Sequence, residues 1–281
     1  MWGSKVVLDS LLRKVSESSE MKAEKLRMPF EVKKIRRRPG QSAGEHWRAI
    51  VENGLDSAFL SVILGGTYLG WSLVQRFKVV FPIALGVALF VICISFAVWK
   101  FFKVKREVRT WRLGENGEQY VGQTLEKDMR PLNYDVFHDV VIKKDKRTFN
   151  LDHVLIGPKG VYVVETKAWR KPEKGSPEIE YKDGHLCKMG HVVKDDAVKE
   201  AVSLAREANR LFHDLTGRSY YVKPLLVIAG WFCRCNNLHD SQLAVLNEKQ
   251  VAAWVQKDTP QRMPDPKDLE LLRVKLEQYE V

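Results

Sequence analysis

Two carboxylates and a lysine stand close together between Asp152 and Lys167, a stretch that reads as two apolar strands joined by a Gly157-Pro158-Lys159-Gly160 turn. Asp152 opens the first strand, while Glu165 and Lys167 close the second. Residues at i and i+2 of a strand share a face, so Glu165 and Lys167 project together, roughly 7 Å apart. If the turn closes symmetrically about Pro158 and Lys159, Asp152 lies opposite Glu165. Like charges opposed across a ladder destabilise it unless a cation joins them. Lys167 supplies one positive charge, and a divalent metal would supply the rest. The competing geometry is a three-residue loop with Gly160 left-handed, whose one-residue slip turns Asp152 to the other face.

The surrounding periodicity supplies the elements that must position these groups. Residues 115–128 read as a helix with Glu118, Val121 and Leu125 on one face. Strands are predicted over Tyr134–Val140, Asn150–Ile156 and Val161–Lys167, followed by an irregular basic insertion from Arg170 to Gly190. Ala197, Val198, Ala201, Leu204, Ala205, Ala208 and Leu211 form the apolar stripe of a long helix over Asp195–Leu215. Pro224–Trp231 is a buried-strand pattern, Gln242–Leu246 a further strand and Lys249–Gln256 a helix. This order predicts an α/β class: a mixed sheet flanked by helices.

Upstream lie two nearly charge-free runs, Leu55–Gln75 and Val79–Trp99. Each is long enough, at about twenty residues, to cross a bilayer core of roughly 30 Å as a helix. The chain of 281 residues therefore divides into a basic N-terminal region (1–54), a two-span transmembrane hairpin (55–102) contacting the lipid bilayer, and a soluble domain (107–281). Lys33, Lys34, Arg36, Arg37, Arg38 and Arg48 precede the first run; Lys100, Lys103, Lys105, Arg106, Arg109 and Arg112 follow the second. By the positive-inside rule both termini face the cytoplasm, in a multi-pass protein of the inner (cytoplasmic) membrane. Val6, Leu8, Leu11 and Leu12 add a short amphipathic pattern near the start. The net charge of +11 favours anionic partners, nucleic acid or acidic headgroups. Four cysteines in a chain of this size argue against a disulfide framework.

Gly114-Glu115-Asn116-Gly117-Glu118, Leu151-Asp152-His153-Val154 and the Gly157–Lys167 string resemble the nuclease-related domain (NERD) family, within the PD-(D/E)xK nuclease superfamily. The resemblance covers roughly residues 112–250 and implies a restriction-endonuclease-like sheet. It implies Asp152, Glu165 and the Thr166 carbonyl as ligands of Mg²⁺, with Mn²⁺ as a substitute. It makes Lys167 the catalytic lysine and Glu118 the family's N-terminal glutamate, binding a second metal or positioning water. The family's Asn-Pro…Gln segment corresponds to Asp195-Asp196-Ala197-Val198-Lys199, with Lys199 in the glutamine's place, where it would contact phosphate. His153 is expected on the face opposite Asp152, in packing or hydrogen bonding.

The reading is a membrane-anchored nuclease hydrolysing DNA on the cytoplasmic side. Arg170, Lys171 and other basic residues of the insertion would line a groove for the phosphate backbone, with Trp169 and Tyr181 stacking on bases. The alternative is an inactive membrane-tethered module that binds nucleic acid or signals. Removal of residues 1–100 is expected to leave activity intact in vitro. Oligomeric state has no sequence signature here.

Overall fold

The computed structural model describes residues 37–74, 80–144, 147–172, 175–182, 184–193, 196–235, 243–260 and 263–279. The amphipathic pattern near the start and Lys33, Lys34 and Arg36 lie outside the described residues.

Two long helices lead the chain, α1 (Gln41–Val74) and α2 (Val80–Met129), packed as a hairpin. Both are long and apolar enough to cross a membrane. Their apolar halves leave Phe59, Leu60, Leu64, Trp71, Ile92 and Phe102 more than half exposed. α2 does not stop where the apolar run ends. Lys100 to Arg112 is rich in strong helix formers and lacks glycine and proline, so the helix continues unbroken to Met129. The expected boundary at residue 107 therefore falls inside α2, and the helix expected over 115–128 is its last part.

The α/β class holds. β1 (Asp135–Lys144), β2 (Arg147–Gly157), β3 (Gly160–Lys167), β7 (Val222–Ile228) and β9 (Ala244–Leu246) form one sheet in the order β1-β2-β3-β7-β9. The first three strands are antiparallel, while β7 and β9 run parallel to β3. The α2 residues Val121, Leu125 and Met129, with Val251, Trp254 and Val255 of α4 (Val251–Lys257), cover one face. Ala205, Ala208 and Phe212 of α3 (Ala197–Thr216), with Leu269, Leu272 and Leu276 of α5 (Pro266–Tyr279), cover the other.

The segment expected to be irregular, 170–190, instead carries β4 (Glu178–Lys182) and β5 (His185–Lys188). With β6 (His191–Val192) and β8 (Phe232–Cys235) these make a second sheet, ordered β6-β5-β4-β8. The strands are short and separated by left-handed glycines such as Gly184 (φ +77°), which hides their alternation. Ile179, Tyr181 and Leu186 point inward there, so Tyr181 is core and not a stacking platform.

Candidate active site

The turn between β2 and β3 has two residues. Gly157 pairs with Gly160 and His153 with Val164, which sets Asp152 across from Glu165 and excludes the slipped register. Val154, Ile156, Val161 and Val163 point toward α3. Glu165 keeps that alternation; Leu151 joins the same cluster, so Asp152 is placed by its partners, the Thr166 N–H and the neighbouring Glu165. Both are buried, at 8% and 6% exposure. Asp152 Oδ2 accepts the Thr166 backbone N–H at 2.7 Å, fixing one carboxylate against the strand that bears the other.

Lys167 Nζ donates to Glu165 Oε1 at 2.9 Å and to Glu200 Oε2, in the first turn of α3, at 2.6 Å. Glu118 arrives from α2. Gly117 makes this approach possible, because a Cβ there would lie 2.5 Å from that of Ala168, the residue after Lys167. Glu118 Oε2 is buried without a hydrogen-bond partner.

The electrostatics follow from this crowding. Burial, then Asp139 and Glu165, pushes the Glu118 carboxyl from 4.5 up to about 7. Burial, with Glu165 and Glu118, holds Asp152 well above its ordinary value. Glu165 is also raised by burial, against the opposing pull of Lys167. Burial disfavours the Lys167 cation, but Glu165 and Glu200 outweigh it and hold the ammonium above its usual range. Lys167 is thus a positive donor at neutral pH.

Lys199 lies elsewhere. It is 84% exposed and pairs with Asp196 at 2.9 Å. The reason is helical phase: Lys199 sits two residues from buried Ala197, on the far side of the helix, whereas Glu200 follows by three. The side chain that α3 presents to Lys167 is Glu200, which the sequence reading passed over although the alanine stripe carried its phase.

Trp169 is committed to packing. Its carbonyl accepts the Trp231 indole N–H at 3.1 Å, its ring meets Trp231 edge-on, and Lys188 lies over both rings. Arg170 and Lys171 are exposed immediately after the site. His153 faces away from Asp152, as expected, and its Nδ1 lies 2.9 Å from Nδ1 of His138. Burial holds its imidazole well below the usual value, hence neutral.

Residues 113–229 match the nuclease-related domain family. The chain carries a nuclease-related domain. An uncharacterized protein of Bacillus anthracis is 40% identical over 65 residues, which is 23% of this chain. The matched stretch spans 30% of that relative's length. No solved structure matches the chain. The nuclease-related domain holds every group of the carboxylate–lysine cluster, from Glu118 to Glu200.

Among the described residues, no three His, Cys, Asp or Glu side chains form a ready-made metal cage. The donor chemistry nevertheless fits a divalent ion. The oxygens are hard, they are in excess over the cation present, and Glu118 Oε2 is an orphaned buried acceptor. Mg²⁺ retains several waters and needs only one or two carboxylates from the protein.

Proposed function

We propose that this protein is a metal-dependent nuclease that hydrolyses phosphodiester bonds of DNA at the cytoplasmic face of a membrane, anchored by α1 and α2. The observation that carries the reading is the buried excess of carboxylate at the end of β3, within a nuclease-related domain. Asp152, Glu165 and the Thr166 carbonyl would hold Mg²⁺ or Mn²⁺. The chemistry such an ion supplies is neutralisation of the phosphodiester charge and a more acidic water.

The chain's own groups do the rest. The Thr166 N–H orients Asp152. Lys167, held protonated, donates to a phosphate oxygen or to the attacking water and does not abstract a proton. Glu118, poised at about 7, accepts the proton of a water at neutral pH. Arg170 and Lys171, exposed just after Lys167 in the chain, would contact the phosphate backbone. The exposed apolar halves of α1 and α2 support membrane anchoring.

The second reading is an inactive tethered module. It is favoured by the ion pair between Lys167 and Glu200, which occupies the lysine with a group other than substrate. Incubating the full chain in detergent with plasmid, single-stranded and RNA substrates separates the two. The nuclease reading expects cleavage with Mg²⁺ or Mn²⁺ that stops in EDTA and in Glu165→Ala. Binding without cleavage in either metal would establish the module instead.

A further inference from the structure

Asp139 of β1 stands opposite Asp152 of β2: the flanking pairs are His138 with His153 and Val140 with Leu151, and the ladder is interrupted between them. Its charge reaches the site, where it helps to raise the Glu118 carboxyl. Asp139 has φ +52°, a left-handed conformation that aspartate tolerates better than most residues. Its fully buried side chain is received by a segment from far upstream. Oδ2 accepts from Arg37 Nε at 2.7 Å, from the Ser42 backbone N–H at 3.1 Å and from Ser42 Oγ at 3.0 Å, while Oδ1 accepts from Asn150 Nδ2 at 2.9 Å. The Ser42 N–H belongs to the first turn of α1, so a carboxylate of the sheet caps the N-terminus of the first long helix.

The same upstream segment grips α2 on both sides of Glu118. Trp47 Nε1 donates to Glu115 Oε2 at 2.7 Å, and the Glu115 backbone and side chain fill the space that a Cβ would need at Gly40 and Gly44. Pro39 lies against Gly122, where a Cβ would be 2.7 Å from its own. Glu115 and Gly122 stand three residues before and four after Glu118, on the same helical face.

We propose that residues 37–47 are a positioning strap of the active site, built from the lead-in to the first membrane helix. By turning Asp139 out of the ladder and holding the Glu115–Gly122 face, the strap sets Glu118 and Asp152 in register. Catalysis then depends on residues 37–47, and a fragment beginning at residue 107 leaves Asp139 buried without Arg37 or Ser42. On this proposal the truncated domain loses activity, the reverse of the outcome expected from the sequence.

The inference rests on the nuclease reading, and its test separates the two. Full-length wild type, Arg37→Ala, Arg37→Lys and Ser42→Ala, in lipid nanodiscs, are compared in plasmid cleavage with Mg²⁺ or Mn²⁺ and in amide hydrogen exchange. The strap expects Arg37→Ala to lower kcat about tenfold with KM within twofold, and Arg37→Lys to restore most of it. It also expects exchange at 115–122 and 138–141 to rise about tenfold while α3 and β7 stay protected. Unchanged exchange in Arg37→Ala and Ser42→Ala overturns the strap, as does raised exchange with unchanged kcat. If wild type cleaves nothing in either metal, the nuclease reading falls, and exchange at 115–122 alone decides whether the strap holds Glu118.

Discussion

The two ends of β3 both bury charge, and they do so in opposite ways. At the end near the turn, Asp258 Oδ1 meets Lys223 at 2.8 Å and its Oδ2 accepts the Tyr162 hydroxyl at 3.0 Å. Its backbone carbonyl takes Lys159, and Lys223 lies 4.5 Å above the Trp254 ring. Asp258, Lys223 and Lys159 each have a partner there. At the far end, among the described residues, Glu118, Asp152, Glu165 and Glu200 gather around Lys167, and Glu118 Oε2 has no hydrogen-bond partner. A closed buried network specifies structure, whereas a half-satisfied one is destabilising and persists where it serves chemistry. The sheet thus separates a clamp from a site along one strand, and substitutions at the two ends should fail in different assays.

Glu165→Ala should break the contrast most sharply. Metal-dependent cleavage should fall by roughly 1,000-fold or more, while thermal stability in EDTA is unchanged or improved because a buried like charge is removed. Lys223→Ala should do the reverse. Leaving Asp258 buried and unpaired should cost about 3–5 kcal/mol in denaturant titration, with specific activity of the folded fraction within twofold.

Glu118→Gln sharpens the comparison through pH. The Glu118 carboxyl is raised from 4.5 to about 7 in the fold. Its neutral form therefore stabilises the protein below pH 4.5, and that contribution is lost as pH rises through 7. In EDTA, the glutamine variant should be more stable than wild type at pH 8 by roughly 2–3 kcal/mol and equal to it near pH 4. Equal stabilities at pH 8 would mean that Glu118 is not buried against the carboxylates.

The smallest effects belong to α3. Glu200→Gln frees one side of Lys167 and should change kcat by a few-fold with under about 1 kcal/mol in stability, since Glu200 is half exposed. Lys199→Ala, at a solvent-facing position, should leave cleavage within twofold.

The strands around the site were legible in the sequence because period-two alternation and the Gly-Pro-Lys-Gly turn are local signals. The carboxylates' shared face followed once the turn length was known, which the chain alone left between two registers. Glu200 was one residue from the position named, a phase error that the buried Ala197 and Ala201 could have corrected. Trp169 and Tyr181 resembled free aromatic platforms because the second sheet that packs them is built from short strands whose pattern the glycines interrupt. β8 and α5 were not foreseen, the former because four residues carry too little period. Asp139 had no local signal at all. Its hydrogen bonds come from Arg37 and Ser42, about a hundred residues away in sequence, and only the assembled fold brings them together.

Divalent-ion binding tests the central contrast most directly. Manganese titration of the full-length protein at pH 7.5, followed by electron paramagnetic resonance, should reveal a bound ion in wild type and in Lys223→Ala. Binding should be lost in Asp152→Asn and in Glu165→Gln. Retention of the ion by those two variants, or no binding by wild type, would contradict a metal centre at the carboxylate end of β3.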